Sequence, residues 1–245
     1  MYRLFDRFME QAGNRATSGA RARLVAEARK AANTYRAGAG EAAALGVIQD
    51  VQWEQYLNLV WREVVTSAGG LMLQAMQVPA DSGALDRTAR LYLARNGATR
   101  GAGIANTSRN HVADSIADGL AEHETTAEVA RRIAADAETR ASWRGATIGS
   151  TESHAAGYLG AWSAALQSLR RWDKVWTAPR ARGVTCDQHK STHGQRRGLR
   201  DAFDVANDYE PDGGSDRMNY PGDGEIGARP SNVINCRCAM EFERP

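Results

Sequence analysis

Cysteine, lysine, aromatic residues and long apolar runs are all scarce in this chain of 245 residues. The three cysteines, Cys186, Cys236 and Cys238, lie in the last quarter, and an odd number of thiols argues against a disulfide framework of the secreted kind. Metal binding or free thiols remain. No stretch of about 18 apolar residues occurs, so no membrane-spanning helix is expected. The opening Met1 to Arg7 lacks the basic and apolar regions of a signal peptide, which makes the cytoplasm the expected compartment. Aromatics are only 7% of the chain while alanine is abundant, and that balance favours helices packed through small side chains over a β-sandwich. Lysine occurs only at Lys30, Lys174 and Lys190, arginine carries the remaining positive charge, and a net charge of +2 is too small to draw the whole molecule onto nucleic acid. Any such contact has to come from a local patch.

What the chain does have is enough apolar material, 42% of its residues, to bury one large core or two ordinary ones. Residues 1–170 read as a helical arm and body. Leu4, Phe5, Phe8 and Met9, then Leu24, Val25, Ala28 and Ala31, recur at helical spacing. Trp53, Tyr56, Leu57, Val60, Trp61 and Val64 form one broad stripe, most simply a core face. Breaks or close-packing points are expected at Ala37 to Gly40 and Ala68 to Gly70, a loop at Gln77 to Leu85, and a break near Gly97 to Gly103. Helices follow over Ile104 to Leu120, Ala127 to Ala137 and Trp143 to Leu169, the second opened by a capping box at Thr125 and Glu128.

Near Arg170 the texture changes. Residues 171–245 read as a small mixed α/β domain, with five of the six prolines and short strand-prone pieces at Lys174 to Thr177, Val233 to Ile234 and Ala239 to Phe242. The expected fold class is therefore α+β. Charge segregates here as well: Arg170 to Arg200 carries nine basic residues against two acidic ones, and Asp201 to Glu225 carries eight acidic residues against one basic. These lobes either neutralise one another or present phosphate with a positive side.

The densest chemistry is Cys186-Asp-Gln-His189, then His193-Gly194, and far downstream Asn235-Cys-Arg-Cys238. Thiolate and imidazole are the ligands zinc prefers, so Cys186, His189, Cys236 and Cys238 form a candidate closed site, with His193 a substitute ligand or a neighbour. Cys-x-Cys is tighter than the common zinc spacing, and buried or reactive thiols beside surface histidines are the plainer alternative. His189 and His193 also qualify as a general acid and base in a basic segment, although no carboxylate or lysine obviously partners them. His111, His123 and His154 lack ligand-spaced partners and read as structural. Ser150-Thr-Glu152 reads as a bonded polar group at the end of the helical region, and Pro221-Gly-Asp223 as a turn. No phosphate-cradling loop, dinucleotide fingerprint, serine elbow or His-Glu-x-x-His motif occurs.

The order Ala146-Thr-Ile-Gly-Ser-Thr151-Glu152, a long helix, Trp176-Thr-Ala178, His189-x3-His193-Gly194, Phe203, Tyr220-Pro-Gly-Asp223 and Asn235-Cys-Arg-Cys238 resembles the phage minor head protein family, also called phage head morphogenesis or Mu F-like proteins. The motifs cover about Arg144 to Phe242. The resemblance implies a minor component of a tailed-phage head, made in the host cytoplasm and carried into the virion head. Its implied partners are the portal, the major capsid protein and packaged DNA, with no membrane contact and no enzymatic activity. It points to His189, His193, Gly194, Asp223, Asn235, Cys236, Arg237 and Cys238. Many relatives carry arginine three residues before the first histidine; this chain has Cys186, which favours the zinc reading over a nuclease or toxin-like one using His189 and His193. Exposed apolar residues for docking on a portal or capsid ring are expected on the Trp53 to Val64 stripe and on Leu4 to Met9.

Overall fold

A computed structural model describes residues 2–79, 81–168, 170–178, 189–206 and 214–245. Five helices come first: α1 (Tyr2–Arg36), α2 (Gly40–Gly46), α3 (Asp50–Met76), α4 (Ser82–Ala121) and α5 (Thr126–Gln167). Short elements follow as β1 (Asp173–Thr177), β2 (Arg196–Gly198), β3 (Phe203–Ala206), β4 (Ser215–Met218), α6 (Pro230–Val233) and β5 (Ala239–Glu243). A helical region followed by a small strand-containing one makes the fold α+β.

The chain clusters into two compact units, whose limits fall inside α1, α3, α4 and α5. One comprises residues 14–59 and 93–149 and is all helical. Its core is built from small and branched residues, including Ala20, Leu24, Ala31, Ile48, Trp53, Val112, Ile116 and Ile133. The expected break at Gly97 to Gly103 does not occur. A Cβ on Gly101 would stand 2.8 Å from the backbone nitrogen of Glu54, so this glycine admits a close backbone approach within an unbroken α4. The two helices expected on either side of residue 140 are likewise one, since nothing in Glu138-Thr-Arg-Ala-Ser142 interrupts α5. Its capping box forms as expected, with the Thr125 amide donating to Glu128 Oε2 at 2.8 Å and the Glu128 amide to Thr125 Oγ1 at 3.3 Å.

The other unit comprises residues 1–13, 60–92 and 150–245, so the sequence boundary at 170/171 lies inside it. Phe5 packs on Tyr158 and Trp61 stacks on Tyr92 at 4.0 Å. Its strands form an antiparallel sheet in the order β2-β1-β5 and a β3-β4 hairpin. The register Trp176↔Met240 and Lys174↔Phe242 turns these four side chains inward. Lys174 is an unusual occupant of that face: it is fully buried, its Nζ donates to the Asn219 carbonyl at 2.8 Å, and it lies over the rings of Phe203 and Trp162. Burial pulls its amine down to about 8.

Two expectations fail in the strand region and on the surface. Val233 belongs to a helical turn and not a strand, because Pro230 at the first helical position fixes φ for that turn. The Trp53 to Val64 stripe is no docking surface, since Trp53, Leu57, Trp61 and Val64 are all buried within the chain. On the Leu4 to Met9 segment, Leu4 is exposed and Phe5 is not.

Candidate metal centre

Two chain segments supply the candidate ligands, and each is fastened by its own backbone bonds. His189 opens a turn in which the Thr192 amide donates to the His189 carbonyl and the His193 amide to the Lys190 carbonyl. The turn closes at Gly194, whose φ of +81° is left-handed and suited to glycine. The Gly194 amide then donates to the Trp176 carbonyl at 2.8 Å, tying the turn to β1. His189 meets the Trp176 ring edge to face at 5.7 Å.

The second segment follows α6. Asn235 adopts φ +57°, a left-handed value that asparagine tolerates better than most residues, and its amide donates to Thr151 Oγ1 on α5 at 3.1 Å. His154, one turn further along α5, has Nε2 2.8 Å from the Cys238 carbonyl. Burial alternates along the chain between these anchors. Cys236 and Cys238 point inward and are buried, while Arg237 points to solvent.

His189, Cys236 and Cys238 consequently converge, with their ligand atoms all within 4.8 Å of one another. His189 Nδ1 lies 3.4 Å from Cys238 Sγ and 3.7 Å from Cys236 Sγ. A tetrahedral ion with zinc–sulfur bonds of about 2.3 Å and zinc–nitrogen bonds of about 2.0 Å requires N···S separations of about 3.5 Å. The donor set and the two N···S separations suit a metal ion, while the two sulfurs, within 4.8 Å of each other, would have to stand about 3.8 Å apart around zinc. Cys186 lies outside the described residues.

His189 Nε2 faces Asn232 Oδ1 at 3.1 Å, and both residues are fully buried. The Asn232 Nδ2 donates to Asp216 Oδ2 at 2.9 Å and, more weakly, to the Val205 carbonyl at 3.4 Å. Asp216 accepts in turn from the Arg229 amide at 2.7 Å and from Arg229 Nε at 3.1 Å. Those bonds hold the Asp216 carboxyl below its ordinary range despite its partial burial. Asn232, Asp216 and Arg229 carry no sequence signature; Pro230 opening a helical turn just ahead of the Cys-x-Cys was the nearest clue.

The remaining motif residues have other employment. His193 is exposed, and its Nδ1 accepts the Ala178 amide at 3.1 Å, securing the end of β1. Asp223 is fully buried: Oδ2 accepts the Asn219 amide and Oδ1 the Glu225 amide, each at 2.8 Å, around the Pro221-Gly222 turn. Burial raises its carboxyl, and these bonds oppose the rise. Ser150-Thr-Glu152 is a bonded polar group as expected, with Glu152 Oε2 accepting from Trp61 Nε1 at 2.8 Å in addition to the Thr151 bond. The charge lobes meet in part through Arg197 and Asp204 at 2.9 Å. The chain matches no known protein family, and neither curated proteins nor solved structures hold a match to it.

Proposed function

We propose that this chain is a minor structural and assembly protein of a tailed-phage head, acting with the portal or major capsid protein beside packaged DNA and retained in the virion. The observation that carries the reading is the convergence of the segments on which the resemblance rests: His189, Cys236 and Cys238 meet at one point, and Asn235 is bonded to Thr151. In this reading the site is structural. It closes a small strand region around zinc held by Cys186, His189, Cys236 and Cys238. Cys186, three residues before His189 in the sequence, is the fourth ligand in this reading. A bound zinc ion would supply folding free energy by joining segments some fifty residues apart, and no step of chemistry is assigned to it.

A nuclease built on His189 and His193 gains nothing from the geometry. His189 is fully buried between Asn232 and two sulfurs, and His193 Nδ1 is engaged by a backbone amide. Quantitative mass spectrometry of purified DNA-filled particles tests the assembly reading. A fixed ratio of no more than a few copies per portal subunit is expected, whereas absence from both procapsids and filled particles would overturn it.

A further inference from the structure

We infer that Asn232 selects Nδ1 of His189 as the metal-binding nitrogen, and that Asp216 and Arg229 hold Asn232 in the one amide orientation able to do so. The inference rests on reading the His189, Cys236 and Cys238 cluster as a metal site.

An asparagine amide has an end that only donates and an end that only accepts. Nδ2 of Asn232 faces the Asp216 carboxylate at 2.9 Å and the Val205 carbonyl at 3.4 Å, both acceptors. Flipping the amide would set Oδ1 against those two oxygens, a repulsion that is costly at a fully buried residue. Asp216 cannot turn away, because Arg229 grips both of its oxygens through the backbone amide and Nε, while Arg229 Nη2 is itself tied to the Gly214 carbonyl at 2.8 Å. Oδ1 therefore points at His189, 3.1 Å from Nε2. An acceptor there requires hydrogen on Nε2, and a neutral imidazole protonated on Nε2 carries its lone pair on Nδ1. Nδ1 is the nitrogen that faces Cys236 and Cys238. The chain Arg229–Asp216–Asn232–His189 thus fixes both the tautomer and the ring direction before any ion arrives. Partners of this kind beyond the ligands typically change metal affinity 10- to 100-fold. Asparagine is required in particular: aspartate at 232 would place a second carboxylate against Asp216, and leucine would remove the Oδ1 acceptor that faces Nε2.

The test uses the full-length protein, stripped of metal and titrated with cobalt(II), then with zinc in competition. Wild-type protein should bind one cobalt with thiolate-to-metal charge-transfer bands. Asn232→Leu and Asn232→Asp should each bind zinc 10- to 100-fold more weakly with altered ligand-field bands. Equal affinity and spectra in wild type and Asn232→Leu would overturn the inference while leaving the metal site standing. A wild-type protein that binds neither ion would overturn the metal site itself. Nitrogen-15 chemical shifts of the histidine rings in zinc-loaded wild type give a check that needs no variant. Coordination through Nδ1 with hydrogen on Nε2 is expected, and coordination through Nε2 would overturn the proposal.

Discussion

The helical unit of residues 14–59 and 93–149 and the strand region of residues 171–245 solve the problem of a stable interior by opposite means. The helical unit excludes side-chain volume. Gly145 and Gly149, one turn apart on α5, bring its backbone against α1: a Cβ on Gly149 would lie 2.3 Å from the Thr17 nitrogen, and one on Gly145 3.0 Å from Arg21 Cβ. The strand region has only short elements of three to five residues, too little for a core of its own kind, and it fills its interior with bonded polar groups. Lys174, His189, Asp223 and Asn232 are all fully buried there, each with partners. Small apolar residues suffice where helices are long, whereas short strands need polar chains that fix one arrangement.

The helical unit has one polar exception. A cavity of about 30 Å³ among α1, α4 and α5 is lined by Glu27, His111, Arg140 and Arg144 along with Leu24, Val112 and Ile133. Glu27 accepts from Trp53 Nε1 at 3.0 Å through Oε2, while its Oε1, His111 Nε2 and Arg140 Nη1 have no hydrogen-bond partner among the described residues. Burial lifts the Glu27 carboxyl to about 7, against the Trp53 bond and the charges of Arg23, Arg144 and Arg109.

Three substitutions separate the two modes of stabilisation. Cys238→Ser removes one of the three candidate ligands of the strand region and should have the largest effect. If the proposed zinc is bound, it should be lost, with a free energy on the order of 10 kcal/mol, and the near-ultraviolet signal of Trp176 should fade while most helical ellipticity persists. Simultaneous loss of both signals would mean that the two modes are not separable. Gly149→Val attacks the excluded volume of the helical unit. It should cost about 3 kcal/mol or more in urea unfolding, with zinc stoichiometry unchanged; a milder loss would show that α1 and α5 separate easily.

Glu27→Gln should have the smallest effect, and it depends on pH. A carboxyl whose folded value, about 7, lies above its unfolded 4.5 stabilises the fold fully below pH 4.5, and that contribution is lost as pH rises to about 7. Above pH 7 the variant should therefore be more stable than wild type by about 3 kcal/mol, falling to nearly nothing at pH 4. Parallel stability curves for the two proteins across that range would show that Glu27 is not held protonated by its surroundings.

The two regions also differed in how far the sequence could be read. In the helices, spacing and capping are local, so the buried Trp53 to Val64 face and the Thr125–Glu128 box were visible beforehand. The glycines of α4 misled because a residue that can end a helix can also admit a neighbouring backbone, and only the fold distinguishes the two. In the strand region, β1 and β5 were legible as short strand-prone pieces, and the thiols and His189 from their chemistry. The short β2, β3 and β4 were not, nor was the chain from Arg229 through Asp216 to Asn232, because its members are ordinary polar residues joined only by tertiary contact. His193 was equally eligible on composition, and its exposure took it out of the cluster.

The burial of Lys174 has a practical consequence for chemical probing. Of the three lysines, Lys30 and Lys190 are exposed and Lys174 is sealed beneath Trp162 and Phe203. Amine-directed cross-linkers thus find only those two side-chain footholds on the folded protein, and a distance map built from them would be nearly blank. The lowered value of Lys174 belongs to its burial, so the amine regains the ordinary lysine range when β1 parts from its neighbours and then reacts as Lys30 and Lys190 do. Its acylation, measured relative to the two exposed lysines, would then count openings of the sheet.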